Sequence, residues 1–344
     1  MPRVPYDVTK ESYLLKSTFF YNKLRSHGYF DLFMQVQSLC GIEGEKLNWE
    51  QREQWKISEA AWKVLEVNSI SPMLVFVHPK ILQLHPSFLK YYRSVAMLPQ
   101  KGLKAISGVS FVERIEAGKT EPGSLSSEAI SKLVCSINEV VSLVVSLSTD
   151  INETEIQGMM YATAGTNIDG SWRNSIGSEG ERVIRSIIIR EIHSHGEISS
   201  ITDRQNKTKP IAELDSASIL ENIDNIRTVN LINGFSLLFA SEPDVALYDD
   251  SGNIVGSIEI KAGLDPAGAL ERLGAMFKSF ENTLAEFPNA VTILVASCIT
   301  DEVQSRIGAS MSIRQTYITT EVTSNDSNQR KFANRVRRIL KLAK

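Results

Sequence analysis

The sequence has little cysteine and no long uninterrupted run of apolar residues. The 344 residues include three cysteines, which lie too far apart for metal-site spacing: Cys40, Cys135 and Cys298. An odd, scattered set is typical of reduced cytosolic thiols and argues against a disulfide framework. The most apolar stretch, 130–147, is interrupted by Lys132, Asn138 and Glu139. We therefore expect a buried helix there and not a membrane span.

Targeting segments and several common catalytic motifs are also missing. Residues 1–16 lack the apolar stretch of a signal peptide, so we expect a cytoplasmic protein with no membrane partner. The sequence contains no Walker loop, no dinucleotide fingerprint and no Gly-x-Ser-x-Gly elbow. No internal repeat or low-complexity tract is present. These absences leave an ordinary globular protein whose function must be sought in other residues.

Basic charge is not in excess, which bears on nucleic-acid binding. The net charge is -3 and the isoelectric point is about 6.0, whereas nucleic-acid binding usually leaves a basic footprint. Local charge matters more than the sum, and a carboxylate metal site adds negative charge that bound cations offset. The length of 344 residues suits two domains, and the 42% hydrophobic content is that of a soluble protein.

Residues 1–164 are predicted to form a mainly helical domain. Apolar residues recur three or four positions apart in five segments: 9–26, 29–40, 48–66, 86–97 and 126–147. Trp49, Trp55 and Trp62 all fall in this half. Aromatic residues at such spacing are more often part of a core than of a binding site.

Residues 165–344 are predicted to form a second domain that begins with a loop. The segment 165–180 is rich in Gly, Ser and Asn, which predicts a linker. A helix is predicted over 179–193, because its Val and Ile residues fall on one face. Ser178 would cap this helix, and Glu179 and Glu181 would lie in its first turn, where the helix dipole favours acidic residues.

Beyond residue 195 the pattern indicates strands. Four runs are rich in Val, Ile, Leu and Phe: 235–240, 244–249, 254–261 and 291–297. The segment 249–253 predicts a hairpin turn in which Gly252 supplies a positive φ, so the strands on either side should pair antiparallel. A helix is predicted over 266–286. This order of elements predicts an α/β fold with a sheet flanked by helices.

Two carboxylates and a lysine are the most informative residues of the chain. Asp244 follows Glu242-Pro243, and Glu259 precedes Ile260-Lys261 on the neighbouring strand. Side chains alternate along a strand, so Glu259 and Lys261 share one face and Ile260 points into the core. If the hairpin has the predicted register, Asp244 lies across from that face.

Such a trio suits metal-assisted cleavage of a phosphodiester. Mg²⁺ prefers oxygen ligands and usually takes one or two protein carboxylates. A metal held by Asp244, Glu259 and the Ile260 carbonyl would polarise the scissile phosphate and lower the pKa of a bound water. Lys261 could orient that water, assist its deprotonation or stabilise the phosphate charge, and the sequence leaves these three roles open.

This segment resembles the active site of the PD-(D/E)XK nuclease superfamily, and within it type II restriction endonucleases. Asp244, Glu259 and Lys261 match the Asp, Glu and Lys of the motif, and the resemblance covers about 179–300. It implies a restriction-endonuclease-like mixed sheet flanked by helices, following the N-terminal helical domain, which would serve in dimerisation or as a DNA clamp. It also implies a further acidic residue from a preceding helix, for which Glu181 is preferred over Glu179.

The resemblance implies the substrate, the cofactor and the partners as well. The expected activity is Mg²⁺-dependent hydrolysis of double-stranded DNA at a short palindromic site by a homodimer. The segment 264–280 resembles enzymes that cut a GC-rich site of the CCCGGG type. A cognate DNA methyltransferase is expected in the same system, though not as a bound partner.

Candidate DNA contacts fall in three segments. Arg, Asn and Gln side chains can read guanine or adenine in the major groove, and Arg and Lys bind phosphates. The candidates are Arg173, Asn174, Arg204, Gln205, Asn206, Lys207, Lys209, Arg272 and Lys278. The alternative is that these segments are merely solvated. The basic run 330–344 fits an amphipathic helix docked on the surface. The alternative interpretation is that its basic residues contact phosphates.

Three other interpretations remain open at the level of sequence. The first is a repair or junction-resolving nuclease of the same superfamily. The second is a non-catalytic DNA-binding protein that keeps the fold. In the third, Asp244 merely begins a strand, and Glu259 and Lys261 form the solvated face of an edge strand.

Overall fold

The computed structural model describes residues 6–263 and 269–342, with side chains for 10–263 and 273–342. The chain divides into two compact units. A helical unit comprises Leu15–Trp172. A sheet unit comprises the described residues from Arg173 onward, together with the start of the first helix up to Leu14. Each unit has its own apolar core.

The helical unit contains most of the α-helices. Their bounds are α1 Tyr6–Ser26, α2 Tyr29–Glu43, α3 Glu59–Val67, α4 Pro72–Val75, α5 Pro79–Leu84, α6 Leu89–Val95, α7 Gln100–Ser107, α8 Val112–Glu116, α9 Ser127–Val145 and α10 Glu153–Ser194, the last of which continues into the sheet unit. Short 3₁₀ turns lie at Gly44–Lys46 and Pro86–Phe88. The mainly helical character predicted for this half is confirmed.

Two of the helices predicted in this half are shorter in the structure. The segment 48–66 is helical only from Glu59, because Ser58 caps α3 by accepting the backbone N–H of Ala61. The segment 86–97 begins with a 3₁₀ turn before α6. The three tryptophans are partly buried and pack against the core of the helical unit, as expected.

The sheet unit is built on one mixed sheet. Within the described residues the strands are β1 Ile198–Asp203, β2 Thr208–Pro210, β3 Ile226–Leu231, β4 Ser236–Leu238, β5 Val245–Tyr248, β6 Ile254–Lys261, β7 Val291–Ala296 and β8 Gln315–Ile318. Their spatial order is β2-β1-β3-β4-β5-β6-β7-β8. Pairings from β2 to β6 are antiparallel, whereas β6-β7 and β7-β8 are parallel.

Helices cover both faces of this sheet. Its remaining helices are α11 Ser216–Glu221, α12 Ala269–Glu286, α13 Asp301–Ala309, α14 Thr319–Thr323 and α15 Asp326–Ile339, and 3₁₀ turns lie at Ile211–Glu213 and Ile223–Asn225. Ile293 and Val295 of β7 join a core with α10 and α15, while Leu294 and Ala296 join a core with α12 and α13. This alternation confirms an α/β sheet flanked by helices.

The predicted linker over 165–180 is wrong, because these residues lie inside the long helix α10. Ile168 is buried, and the Trp172 ring packs on Phe19 with ring centroids 5.3 Å apart. Packing of Ile168 and Trp172, which are four positions apart on one helix face, thus stabilises the helix through a glycine-rich stretch. The helix does not start at residue 179, so Ser178 is not its N-cap.

The predicted hairpin and docked C-terminal helix are present. β5 and β6 pair antiparallel around a turn in which Gly252 has a φ of +82°, a region that favours glycine. The Asp249 side chain accepts the backbone N–H groups of Ser251 and Asn253 and closes the turn. The predicted basic helix over 330–344 is α15, and its Phe332 and Val336 are buried in the core shared with α10.

No described helix is both long enough and apolar enough to span a membrane.

Candidate active site

The structure brings Asp244, Glu259 and Lys261 together at one end of the β5-β6 pair. Val245 pairs with Ile258, so the residue that precedes β5 lies beside the end of β6. The Lys261 Nζ is 3.3 Å from Asp244 Oδ2 and 2.7 Å from Glu259 Oε2. The ammonium group therefore bridges two carboxylates that lie seventeen and two residues before it in the sequence. The hairpin brings the more distant of the two, Asp244, next to it.

Both carboxylates are buried and held by a second hydrogen bond. Asp244 is 5% exposed and Glu259 is 3% exposed. The backbone N–H of Ile260 donates to Asp244 Oδ2 at 2.6 Å, and the Ser279 Oγ of α12 donates to Glu259 Oε1 at 2.6 Å. β6 lies between β5 and β7 in the sheet. The interpretation of Glu259 as part of a solvated edge strand is therefore wrong.

Electrostatic strain is concentrated in this cluster. Burial raises the pKa of Glu259, and the nearby Asp244 carboxylate raises it further. Burial would by itself lower the pKa of Lys261, but the attraction of Asp244 and Glu259 outweighs it, so that the pKa lies above its usual value. Two buried carboxylates that repel each other favour any cation placed between them.

Helix α10 adds a third carboxylate near the pair. Glu181 is partly exposed, and its pKa is raised by burial and by the negative charge of Asp244. Glu179 is exposed and lies 3.5 Å from Arg182, its neighbour on the same helix. Of the two glutamates considered from the sequence, only Glu181 has an electrostatic coupling to Asp244 among the described interactions.

Gly180 explains how α10 comes so close to the end of β6. A Cβ at this position would overlap the Cβ of Ala262, the residue after Lys261, and would lie 3.5 Å from its Cα. Glycine therefore permits helix and strand to touch at the residue before Glu181. The glycine that suggested a loop in the sequence is instead a close-packing position beside the site.

Three residues of this region were not singled out from the sequence: Gly180, Arg185 and Ser279. Arg185 interrupts the apolar face of α10 four residues after Glu181, and a charged residue in an apolar stripe is a signal that could have identified it. Ser279 lies on α12 among apolar core positions and is 5% exposed. Its contact with Glu259 depends on the fold and has no local signal.

The donor set fits a hard divalent cation. Carboxylate and carbonyl oxygens are the ligands that Mg²⁺ prefers, and one or two carboxylates are the usual number. Asp244 and Glu259 supply such oxygens, and the Lys261 ammonium already lies between them. No group of three or more His, Cys, Asp or Glu side chains that could hold a metal occurs in the described part of the chain.

The candidate DNA contacts of residues 203–209 lie on the hairpin that joins β1 and β2 at the edge of the sheet. The side chains of Arg204, Gln205, Asn206, Lys207 and Lys209 are exposed. The Arg204 Nε donates to the Asp224 carbonyl at 2.7 Å. Arg227 of β3 donates to the Asn206 side chain, so the hairpin has a further cation beside it.

The other candidate DNA contacts lie on helices. Arg173 and Asn174 are exposed on α10 and not in a loop, as the sequence had indicated. Lys278 is exposed on α12, one residue before Ser279. Arg272 lies on the same helix, outside the residues whose side chains are described. The segment 264–268 that begins the resemblance to CCCGGG-type enzymes also lies outside the described residues.

Comparison with known proteins gives one family. A family model described as XcyI restriction endonuclease matches residues 41–343, which is most of the chain and includes Asp244, Glu259 and Lys261. No curated protein matches the chain.

Proposed function

We propose that this chain, which belongs to the XcyI restriction endonuclease family, cuts double-stranded DNA with a Mg²⁺ site formed by Asp244, Glu259 and the Ile260 carbonyl. Membership makes the protein a restriction endonuclease, hence a nuclease and hydrolase with a DNA substrate, and it supports type II site-specific cleavage. The observation that carries the catalytic assignment is the buried Asp244–Lys261–Glu259 cluster, with its two Nζ–oxygen distances of 3.3 and 2.7 Å.

The two carboxylates are proposed to hold the cation, because they are preorganised and short of positive charge. Hydrogen bonds from Ile260 N–H and Ser279 Oγ fix one oxygen of each carboxylate. When bound, Mg²⁺ would neutralise charge on the scissile phosphate and lower the pKa of a coordinated water. Glu181 is proposed as an additional acidic group that acts from α10.

Lys261 is proposed to act on the phosphate charge and not as a base. The pKa of Lys261 is raised by the two carboxylates, so the amine keeps its proton at neutral pH. A protonated ammonium donates hydrogen bonds and stabilises negative charge on a phosphoryl oxygen. Removal of a proton from water would require the neutral amine, which the two carboxylates disfavour as long as no cation neutralises their charge.

DNA contact is proposed at the β1-β2 hairpin and at further basic and polar residues on α10 and α12. The hairpin residues Arg204, Gln205, Asn206, Lys207 and Lys209 offer base-reading and phosphate-binding groups on an exposed edge. Arg173, Asn174, Arg272 and Lys278 are proposed as further contacts. A short palindromic, GC-rich target of the CCCGGG type and a homodimer complete the proposal, because two-fold symmetry matches a palindrome.

Digestion of a mapped plasmid with Mg²⁺ tests the proposal. A circular plasmid with one CCCGGG site is expected to give a single linear product, and the same plasmid with that site scrambled should stay circular. Cleavage at a different sequence would refute the proposed target site but not the proposed nuclease activity. A smear would favour a repair-type nuclease, and binding without cutting would favour a non-catalytic protein.

Variants test the residue assignments. Asp244→Ala, Glu259→Ala and Lys261→Ala should abolish cleavage while the fold and most DNA binding are kept, and Glu181→Ala should weaken cleavage. Glu281→Ala is a matched control, since Glu281 is an exposed acid on α12, two residues after Ser279. Full activity of Asp244→Ala would refute the site.

A further inference from the structure

One buried arginine touches two of the acidic residues proposed for the reaction. Arg185 lies on α10, and its side chain is 6% exposed. Its NH2 group donates to Glu181 Oε2 at 2.6 Å and to the Asp244 carbonyl oxygen at 3.4 Å. A single guanidinium thus joins the helix that carries Glu181 to the residue that precedes β5.

This arginine is poorly satisfied for a buried charge. Its Nε–H is buried and has no hydrogen-bond partner among the described residues. Its guanidinium carbon is 5.2 Å from the centre of the Phe239 ring, a position that supplies cation–π attraction but no acceptor. Burying a charge costs free energy unless it is paired and hydrogen-bonded. Stability alone is therefore a weak reason for arginine at this position.

We propose that Arg185 is a positioning residue for DNA cleavage, holding the Glu181 carboxylate in register with the main chain of Asp244. This role rests on the proposed function of the same site. The guanidinium is too buried to contact DNA, so it acts through the two residues it binds. The two N–H bonds of one guanidinium nitrogen point to the two partners from a fixed plane, whereas a lysine ammonium is a point charge on a flexible stem.

Arg185→Met tests the role, because methionine fills much of the space without charge or donors. We expect kcat to fall by about 10- to 100-fold, the usual cost of losing a group that orients a catalytic ligand. The KM for DNA should change little, because no proposed DNA-binding group is altered. Arg185→Lys should recover part of the lost kcat.

Arg337→Met is the matched control. Arg337 is a buried arginine of the same unit that pairs with Glu197, away from the proposed catalytic residues. This variant should lose stability and keep the kcat of its folded fraction. If Arg185→Met shows the same pattern as Arg337→Met, the positioning role is wrong.

A double-mutant cycle tests whether the effect passes through Glu181. In the Glu181→Ala background, Arg185→Met should lower kcat by less than about threefold, since the residues act as a unit. Full multiplication of the two effects would overturn the proposal. If Arg185→Met does not fold, Arg185→Lys decides: wild-type kcat in a folded protein would overturn it. Normal cleavage by Glu259→Ala would instead show that the proposed function fails, whatever Arg185 does.

Discussion

Two glutamate–arginine pairs in the sheet unit, each with a buried arginine, differ in how completely the hydrogen-bond donors of the arginine are satisfied. Arg337 binds Glu197 with two hydrogen bonds, at 2.8 and 2.5 Å, and its third nitrogen donates to Asn334 at 2.6 Å. Arg185 binds Glu181 with one nitrogen and leaves its Nε without a partner among the described residues. In the first pair every nitrogen of the guanidinium has a partner, whereas the second pair is part of a larger cluster that includes Asp244.

The difference is one of charge balance. The Glu197–Arg337 pair is neutral, and every guanidinium nitrogen has an acceptor. The site cluster contains three carboxylates, Glu181, Asp244 and Glu259, against two cations, Arg185 and Lys261. It therefore keeps an excess of negative charge in a mostly buried place, which a divalent cation would neutralise. The fully paired cluster is what a structural ion pair requires, and the incompletely paired one is what the proposed metal site would require.

The largest expected effect separates activity from stability in these two clusters. Asp244→Asn should lower cleavage by about 1,000-fold or more, the several kcal/mol that metal-ion catalysis supplies. Its free energy of unfolding should fall little, because repulsion with Glu259 is removed along with attraction to Lys261. Glu197→Gln should do the reverse, losing about 3 kcal/mol of stability while the folded enzyme keeps its kcat.

Plasmid cleavage and chemical denaturation, both run on the same preparations, measure this contrast. A large loss of stability in Asp244→Asn, equal to that of Glu197→Gln, would mean that both clusters are structural pairs and that the comparison fails.

The next effect concerns the glycine that lets α10 approach the site. Gly180→Ala places a methyl group against Ala262, so helix and strand must separate. We expect cleavage to fall about 100-fold, as for a displacement of about 1 Å at a reacting centre, and stability to fall by about 1–3 kcal/mol from overpacking. No comparable change should follow at the Glu197–Arg337 pair.

The double variant Gly180→Ala with Ala262→Gly is the control for that expectation. It moves the methyl group from the strand to the helix and leaves the Ala262 Cα at an ordinary contact distance of 3.5 Å. Cleavage rates should return towards the wild-type value. Failure of this exchange to restore activity, while each protein remains folded, would show that helix–strand spacing is not the cause.

A smaller effect is expected at the hydrogen bond from α12. The hydrogen bond from Ser279 to Glu259 Oε1 lowers the pKa of that carboxyl, and Ser279→Ala removes this hydrogen bond. The pKa of Glu259 should therefore rise, less of it is ionised at a given pH, and the acidic limb of the pH–rate profile should move to higher pH. The fall in kcat at neutral pH should be about 10-fold.

Thr283→Val offers a control one turn further along the same helix. Thr283 donates to the Ser279 carbonyl and not to Glu259, so loss of its hydroxyl should leave the acidic limb in place. An acidic limb that moves equally in both variants would indicate a general disturbance of α12.

The elements around the site were predictable because their signals are local. The strand 254–261 has the predicted bounds. Its run of Val and Ile residues begins directly after a turn that Asp249 closes and in which Gly252 has a positive φ. The convergence of Asp244 with Glu259 followed from antiparallel pairing. By contrast β1, β2, β3 and β8 were not predicted, because polar residues such as Ser, Thr, Asn and Lys interrupt or replace the apolar residues of these strands.

The supporting residues could not be found in the same way. A glycine inside a helix destabilises it by about 1 kcal/mol relative to alanine. Only the tertiary contact of Gly180 with Ala262 shows why α10 has a glycine at this position. Ser279 is separated from Glu259 by twenty residues, so their hydrogen bond depends on how α12 lies on the sheet. Local propensity predicts elements, while contacts between elements decide which polar residue supports the site.

The smallest expected effect is a pH slope in stability without metal. The pKa of Glu259 in the folded protein lies above its usual value of 4.5, so the folded state binds its proton more tightly than the unfolded state does. As pH rises from 4.5 through the folded pKa, the free energy of unfolding must fall by this group's share. The glutamine of Glu259→Gln does not titrate, so the free energy of unfolding of this variant lacks that decrease. In denaturant titrations with a chelator, the stability of Glu259→Gln relative to wild type should therefore increase with pH, whereas a constant or decreasing difference would contradict the electrostatic strain assigned to the site.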